Sequence, residues 1–136
     1  MKQIAALLSV LLLTAACASP MMRDADLHKF APRKAERDLT AGIRAYEDGD
    51  YSKSARFLNA ALAGGLMLTY DQVAAHKYLG FIYCAQARKP ACEDAFRKAL
   101  TLDPKLELTP AEAGHPMWGP TFYTIKSQLA ERAKKR

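Results

Sequence analysis

Four short apolar stretches at helical spacing, each cut off by glycine or proline, constrain this chain more than any other feature. Leu39, Ile43 and Tyr46 recur at the interval of one helix face, and Gly49-Asp50 ends that run. Phe57, Leu58, Ala61 and Leu62 make a second run, closed by Gly64-Gly65. Val73, Leu79, Ile82 and Tyr83 make the third, interrupted at Lys89-Pro90. Phe96, Ala99, Leu100 and Leu102 make the fourth, which stops before Pro104. The pattern predicts an all-α fold, its first helix running from about Pro32 to Asp48. Start signals agree with it. Asp50 is placed to cap the second helix, and Thr69-Tyr70-Asp71-Gln72 has the Thr-x-x-Gln capping-box pattern. Pro90 suits a first turn, with Glu93 and Asp94 close behind to favour its positive end.

The first sixteen residues are expected to lie outside that fold. Lys2 supplies a positive start, Ile4 to Leu13 is an apolar core, and Thr14-Ala15-Ala16 is a small-residue stretch before Cys17. Residues 1–16 therefore read as a secretory signal, its core too short for a membrane span of about 20 apolar residues. A cysteine directly after small residues resembles the lipobox of bacterial lipoproteins, although Thr14 stands where Leu is favoured. The resemblance implies that Cys17 is lipidated and becomes the mature terminus. Each buried acyl methylene contributes about 0.8 kcal/mol, so several chains on one cysteine anchor firmly. The alternative is ordinary cleavage near Ala18 and release into the periplasm. Ala18, in place of Asp, implies the outer membrane by the same family's rule. Residues 17–31 are polar and aperiodic, and read as a tether.

The paired helices resemble tetratricopeptide repeats, units of 34 residues in which two antiparallel helices touch through small residues. Residues 73–106 carry Leu79, Gly80, Tyr83, Cys92, Phe96, Ala99, Leu100, Asp103 and Pro104 at the family's positions. Residues 35–68 carry Gly42, Gly49-Asp50-Tyr51, Ser54, Leu58, Ala61 and Leu62, with Ala41 in place of a larger residue and no terminal Asp-Pro. The resemblance implies an α-solenoid fragment, two helix hairpins over residues 32–106. It also implies a concave groove lined by the first helix of each pair. The matching positions are Glu36, Leu39, Ile43, Tyr46 and Glu47, then Ala74, Lys77, Phe81, Cys84 and Ala85. Of these, Leu39, Ile43, Tyr46, Lys77 and Phe81 are the candidate partner-binding residues. The groove is open to a helix or extended peptide of a partner, or is filled by the chain's own C-terminal segment.

With Cys17 removed or acylated, Cys84 and Cys92 are an even pair in an oxidising compartment, which reads as a disulfide. They lie symmetrically about Arg88, the middle of the predicted turn, so they face one another across an antiparallel hairpin. Two buried thiols, or metal ligation with His76, are the alternatives; the spacing is unlike that of zinc sites.

Two repeats bury too little without a cover, because each packs only on its neighbours. Residues 107–136 are the expected cap. Thr109-Pro110-Ala111-Glu112 is a second capping-box start. Gly114-His115-Pro116-Met117-Trp118-Gly119-Pro120 cannot be regular helix. A basic helix follows, with Phe122, Ile125 and Leu129 on one stripe, expected with Trp118 against the fourth helix. The loop around His115 and Trp118 is either a packed cap or an exposed docking loop in which Trp118 anchors a partner. The net charge of +6 owes much to Arg132, Lys134, Lys135 and Arg136. These suit a helix C-terminus or contact anionic lipid or an acidic partner.

No phosphate loop, nucleophile elbow or His-Glu-x-x-His motif is present. His28, His76 and His115 are dispersed. No catalytic residue, metal or cofactor is expected beyond covalent lipid on Cys17, and neither nucleic acid nor a small-molecule substrate. A narrower resemblance rests on Cys17, Leu79-Gly80-Phe81-Ile82-Tyr83-Cys84, Cys92, Phe96, Asp103-Pro104 and residues 108–120. Together these resemble the TssQ-type lipoproteins associated with type VI secretion. That implies an outer-membrane lipoprotein facing the periplasm, a non-enzymatic scaffold whose partners are envelope proteins of a secretion system. A pilotin-like or outer-membrane assembly adaptor is the alternative.

Overall fold

The structure is a computed structural model that describes residues 32–135. The expected signal, Cys17, the tether and Arg136 lie outside the described residues. Six helices follow one another: α1 (Lys34–Glu47), α2 (Tyr51–Ala63), α3 (Thr69–Ala85), α4 (Lys89–Leu102), α5 (Pro110–Ala113) and α6 (Gly119–Lys134). The described residues contain no strand.

Helix ends follow local chemistry. Asp50 caps α2, its carboxylate accepting from the Lys53 amide at 3.0 Å. Gly64 ends α2 as its C-cap. The first helix begins two residues later than expected, after Arg33, leaving Pro32 outside it. The third also departs from expectation. Leu68, which has no side-chain acceptor, takes the N-cap place expected of Thr69, and the Gln72 side-chain amide donates to the Leu66 carbonyl at 2.8 Å. Pro90 does occupy the first turn of α4, but that turn holds no acid, since Glu93 and Asp94 fall beyond it. At α5 both halves of the capping box form: Thr109 accepts from the Glu112 amide, and Glu112 accepts from the Thr109 amide at 2.9 Å.

The closest helix pairs are α1 with α2 and α3 with α4, and α3 also packs on α1 and α2. Both pairs are built on the same contact. A Cβ at Gly42 would stand 2.8 Å from the Leu58 side chain, and one at Gly80 would stand 2.5–2.8 Å from the Phe96 ring. Only glycine lets these helices approach so closely. Each hairpin is also tied across. The buried Ser54 hydroxyl donates to the Gly42 carbonyl at 2.8 Å in the first. A Cys84–Cys92 disulfide, with Cα atoms 5.1 Å apart, closes the second. That bond spans a turn in which Ala87 takes a left-handed φ of 56°.

Two apolar clusters hold the unit together. One lies between the hairpins and contains Leu39, Leu58, Ala61, Leu66, Ala75, Leu79 and Ile82. The other joins the second hairpin to the C-terminal segment through Phe81, Phe96, Leu100, Leu108, Trp118, Phe122 and Ile125. The α6 stripe meets α4 as expected, with the Phe122 and Phe96 rings edge to face at 5.5 Å. Trp118 joins the same cluster as the α4 side chains, its ring 4.8 Å from Phe81 of α3.

Candidate functional site

Between α1 and the first half of α3 runs a groove of about 440 Å³. Leu39 and Ile43 form one wall, Val73, Ala74, Lys77 and Tyr78 the other, and Leu102, Asp103 and Leu106 close one side. Its walls are apolar because Leu39 and Ile43 belong to the core-facing stripe of α1, while α3 is apolar on more than one face: Val73, Ala74 and Tyr78 stand here, and Ala75, Leu79 and Ile82 enter the core. Tyr70 and Asp71, in the first turn of α3, complete the lining. Tyr70 is 79 % exposed, and Met67 and Leu68 just before it are 72 % and 63 % exposed. Leu102 adds a further exposed apolar side chain. Tyr70 and Leu102 thus put exposed apolar side chains at the rim of a concave, largely apolar surface.

Of the five residues expected to bind a partner, Leu39, Ile43 and Lys77 line this groove. Tyr46 does not. It sits half-buried in an aromatic group with Tyr51, Tyr78 and Phe81, at centroid distances of 5.5, 5.0 and 6.1 Å. Phe81 does not either. It is 1 % exposed, covered by Trp118, so it serves the core. Trp118 is itself 7 % exposed, its indole N–H donating to the Glu112 carbonyl at 2.9 Å. His115 lies flat on it, ring on ring at 3.4 Å. The loop is thus a packed cap, not an exposed dock. Its backbone is pressed so close that a Cβ at Gly119 would collide with the Ala113 carbonyl. The C-terminal segment therefore fills the Phe81 end and leaves the Leu39–Ile43 end open.

One ion pair latches the cap. Lys77 meets Glu112 at 2.7 Å, both side chains mostly buried, with the ammonium also 5.1 Å from the centre of the Tyr78 ring. Burial pushes the Glu112 carboxyl up, but the bonds from Lys77 and Thr109 outweigh it and hold the group below the usual value of 4.5. Burial, then the charges of Tyr51, Tyr78 and Glu112, pushes the Tyr46 hydroxyl up to about 12. Burial raises Tyr78 likewise and lowers His76. These shifts belong to packing and the latch.

Cys84 and Cys92 are bonded to each other, and among the described residues no three His, Cys, Asp or Glu side chains converge as metal ligands. No described helix is long and apolar enough to cross a membrane. Sequence reasoning missed Tyr70, Tyr78, Leu102 and Leu106. Tyr70 was hidden inside a capping pattern, and Leu106 belongs to a connector without periodicity. Compared with known protein families, curated proteins and solved structures, the chain matches none.

Proposed function

We propose that this protein is a non-enzymatic adaptor, a tetratricopeptide-like module held at the periplasmic face of the outer membrane by lipid on Cys17. It takes an apolar segment of an envelope protein into the groove between α1 and α3. The observation that carries this reading is the open groove beside Tyr70, Met67, Leu68 and Leu102, four exposed large apolar side chains on so small a surface. Asp71 and Asp103 give the same groove two carboxylates, so a partner segment bearing apolar residues with a flanking Lys or Arg is the best fit. One further feature supports the repeat reading. Gly42 meets Leu58 as Gly80 meets Phe96, each pair displaced by 38 residues along the chain. The sequence resemblance to lipoproteins of type VI secretion makes that machine the first place to seek the partner.

The test is a photo-crosslinker placed at Tyr70, with Ile43→Asp as the competing variant, in cells carrying the full chain. A single envelope protein should be captured at Tyr70 and lost in Ile43→Asp, with circular dichroism showing that the variant still folds despite losing the half-buried packing of Ile43 on the core. Capture that persists undiminished in Ile43→Asp would refute the groove. An unmodified Cys17 in the intact mass would remove the anchor.

A further inference from the structure

The two hairpins share one plan but differ on one face, and the difference has a sign. The second hairpin rests on the first through Ala75, Leu79, Ile82 and Ala95, all buried in the cluster that holds Leu58 and Ala61. Displaced by 38 residues, the same positions of the first hairpin are Arg37, Ala41, Arg44 and Phe57. Arg37, Ala41, Arg44 and Asp48 form one stripe along α1, and Lys53 and Phe57 stand beside it on α2, around a shallow hollow that Pro32 also lines. Arg56 adjoins it, sharing a second hollow with Lys53 and Phe57. A terminal helix pair must present a polar outer face, and carboxylates would serve that need as well as cations. Instead Arg37, Arg44, Lys53 and Arg56 are all exposed cations, with Asp48 the one carboxylate in the stripe. Among the described residues none of the four forms an ion pair. A half-buried Phe57 lies among them.

We infer that this face rests on an anionic phospholipid surface. Four cations around an aromatic ring match a headgroup layer, with the charges at the phosphates and the ring at the interface. The chain also leaves the domain here. The Arg37 guanidinium donates to the Pro32 carbonyl, and fourteen residues separate Pro32 from Cys17. At full extension they span no more than about 50 Å. If Cys17 is acylated, as the proposed function holds, this end of the domain is kept within that distance of the bilayer, and weak contacts suffice. The face orients the adaptor, basic stripe down, with the groove on the opposite face of α1.

The test uses residues 18–136 without lipid, so it does not depend on the anchor; both apolar clusters lie within residues 35–125 and travel with it. The probe is vesicles of phosphatidylcholine, with and without phosphatidylglycerol, in a sedimentation assay. The protein should bind the anionic vesicles alone, and binding should fade as salt rises. Each surface cation is worth about fivefold in partition. Arg44→Gln, Lys53→Gln and Arg56→Gln together should therefore lower binding on the order of 100-fold, with helix content unchanged by circular dichroism. Arg132→Gln, Lys134→Gln and Lys135→Gln should change it by less than about threefold. Absence of binding to anionic vesicles overturns the inference and turns the same cations toward an acidic protein. So does a loss that follows the C-terminal cations instead.

Discussion

Trp118 is the best single probe of how the C-terminal segment is held. Its ring is buried against Phe81 and His115, and its N–H is bonded to Glu112. Truncating a buried aromatic to alanine costs about 3–5 kcal/mol, and the lost hydrogen bond is worth about 1 kcal/mol of that loss. Trp118→Ala should therefore lose about 4 kcal/mol, a large share of the roughly 5–15 kcal/mol typical of a domain. Its midpoint should fall by roughly 15–30 °C. Trp118→Phe keeps the ring stack and gives up the N–H, so about 1–2 kcal/mol is expected. Urea unfolding followed by circular dichroism measures both, with an unchanged slope expected for each. Because Trp118 is the protein's only tryptophan, wild-type fluorescence reports the same site. It should be blue-shifted and shielded from a soluble quencher. Solvent-like emission together with a loss below about 1 kcal/mol for Trp118→Ala would refute the packed cap and restore the docking loop.

Three further outcomes test the rest of the scaffold. Gly80→Ala drives a methyl into the Phe96 ring, so thermal or urea unfolding should show a loss of about 1–3 kcal/mol. Reducing the Cys84–Cys92 disulfide, whose ends are eight residues apart, should lower stability by about 2.5 kcal/mol, read as an earlier urea midpoint under reductant. Glu112 has a folded pKa below its ordinary value of 4.5, so its latch stabilises the protein above that value and is lost as pH falls through the folded one. Wild type should melt above Glu112→Gln at neutral pH, and the gap should close well below pH 4.5. A gap that persists in acid would show that the carboxylate is not the latch.

The sequence was most legible where structure depends on neighbours in the chain. Asp50 capping α2, Pro90 entering α4 and the reciprocal box of Thr109 and Glu112 all rest on contacts within a few residues. Phe122 and Ile125 were readable because one helical stripe must be buried somewhere. What failed was long-range. Phe81 and Trp118 are separated by the whole of α4, the connector and α5, and periodicity says nothing about which aromatic covers which. Thr69 illustrates the local limit: its capping pattern is intact, yet the helix takes Thr69 as its first residue and Leu68 as its N-cap, and the Gln72 side chain donates to the Leu66 carbonyl. The groove was half visible. Leu39, Ile43 and Lys77 follow from the resemblance to tetratricopeptide repeats, whereas Leu102, Asp103 and Leu106 join them only through the fold, at the end of α4 and in the connector after it.

A repeated unit carries its own control, and here that control separates what the fold requires from what position requires. Gly42 and Gly80 are both glycine because a Cβ at either would press on the side chain facing it, Leu58 or Phe96. At the cross-tie the chemistry differs. Ser54 uses a hydrogen bond to Gly42, and its counterpart Cys92 uses a covalent bond to Cys84. The reason is the environment of each hairpin. The first has Tyr46 where the second has Cys84, and Tyr46 is spent bridging to Tyr51 and Tyr78. The second hairpin must instead hold its turn rigid, because Phe81 and Phe96 on its two helices jointly seat Trp118 and Phe122. A turn that sheared would split that seat. The disulfide is thus coupled to the cap, and its removal together with Trp118→Ala should cost less than the sum of the two single losses. Strict additivity in that double-mutant cycle would show that turn and cap are independent.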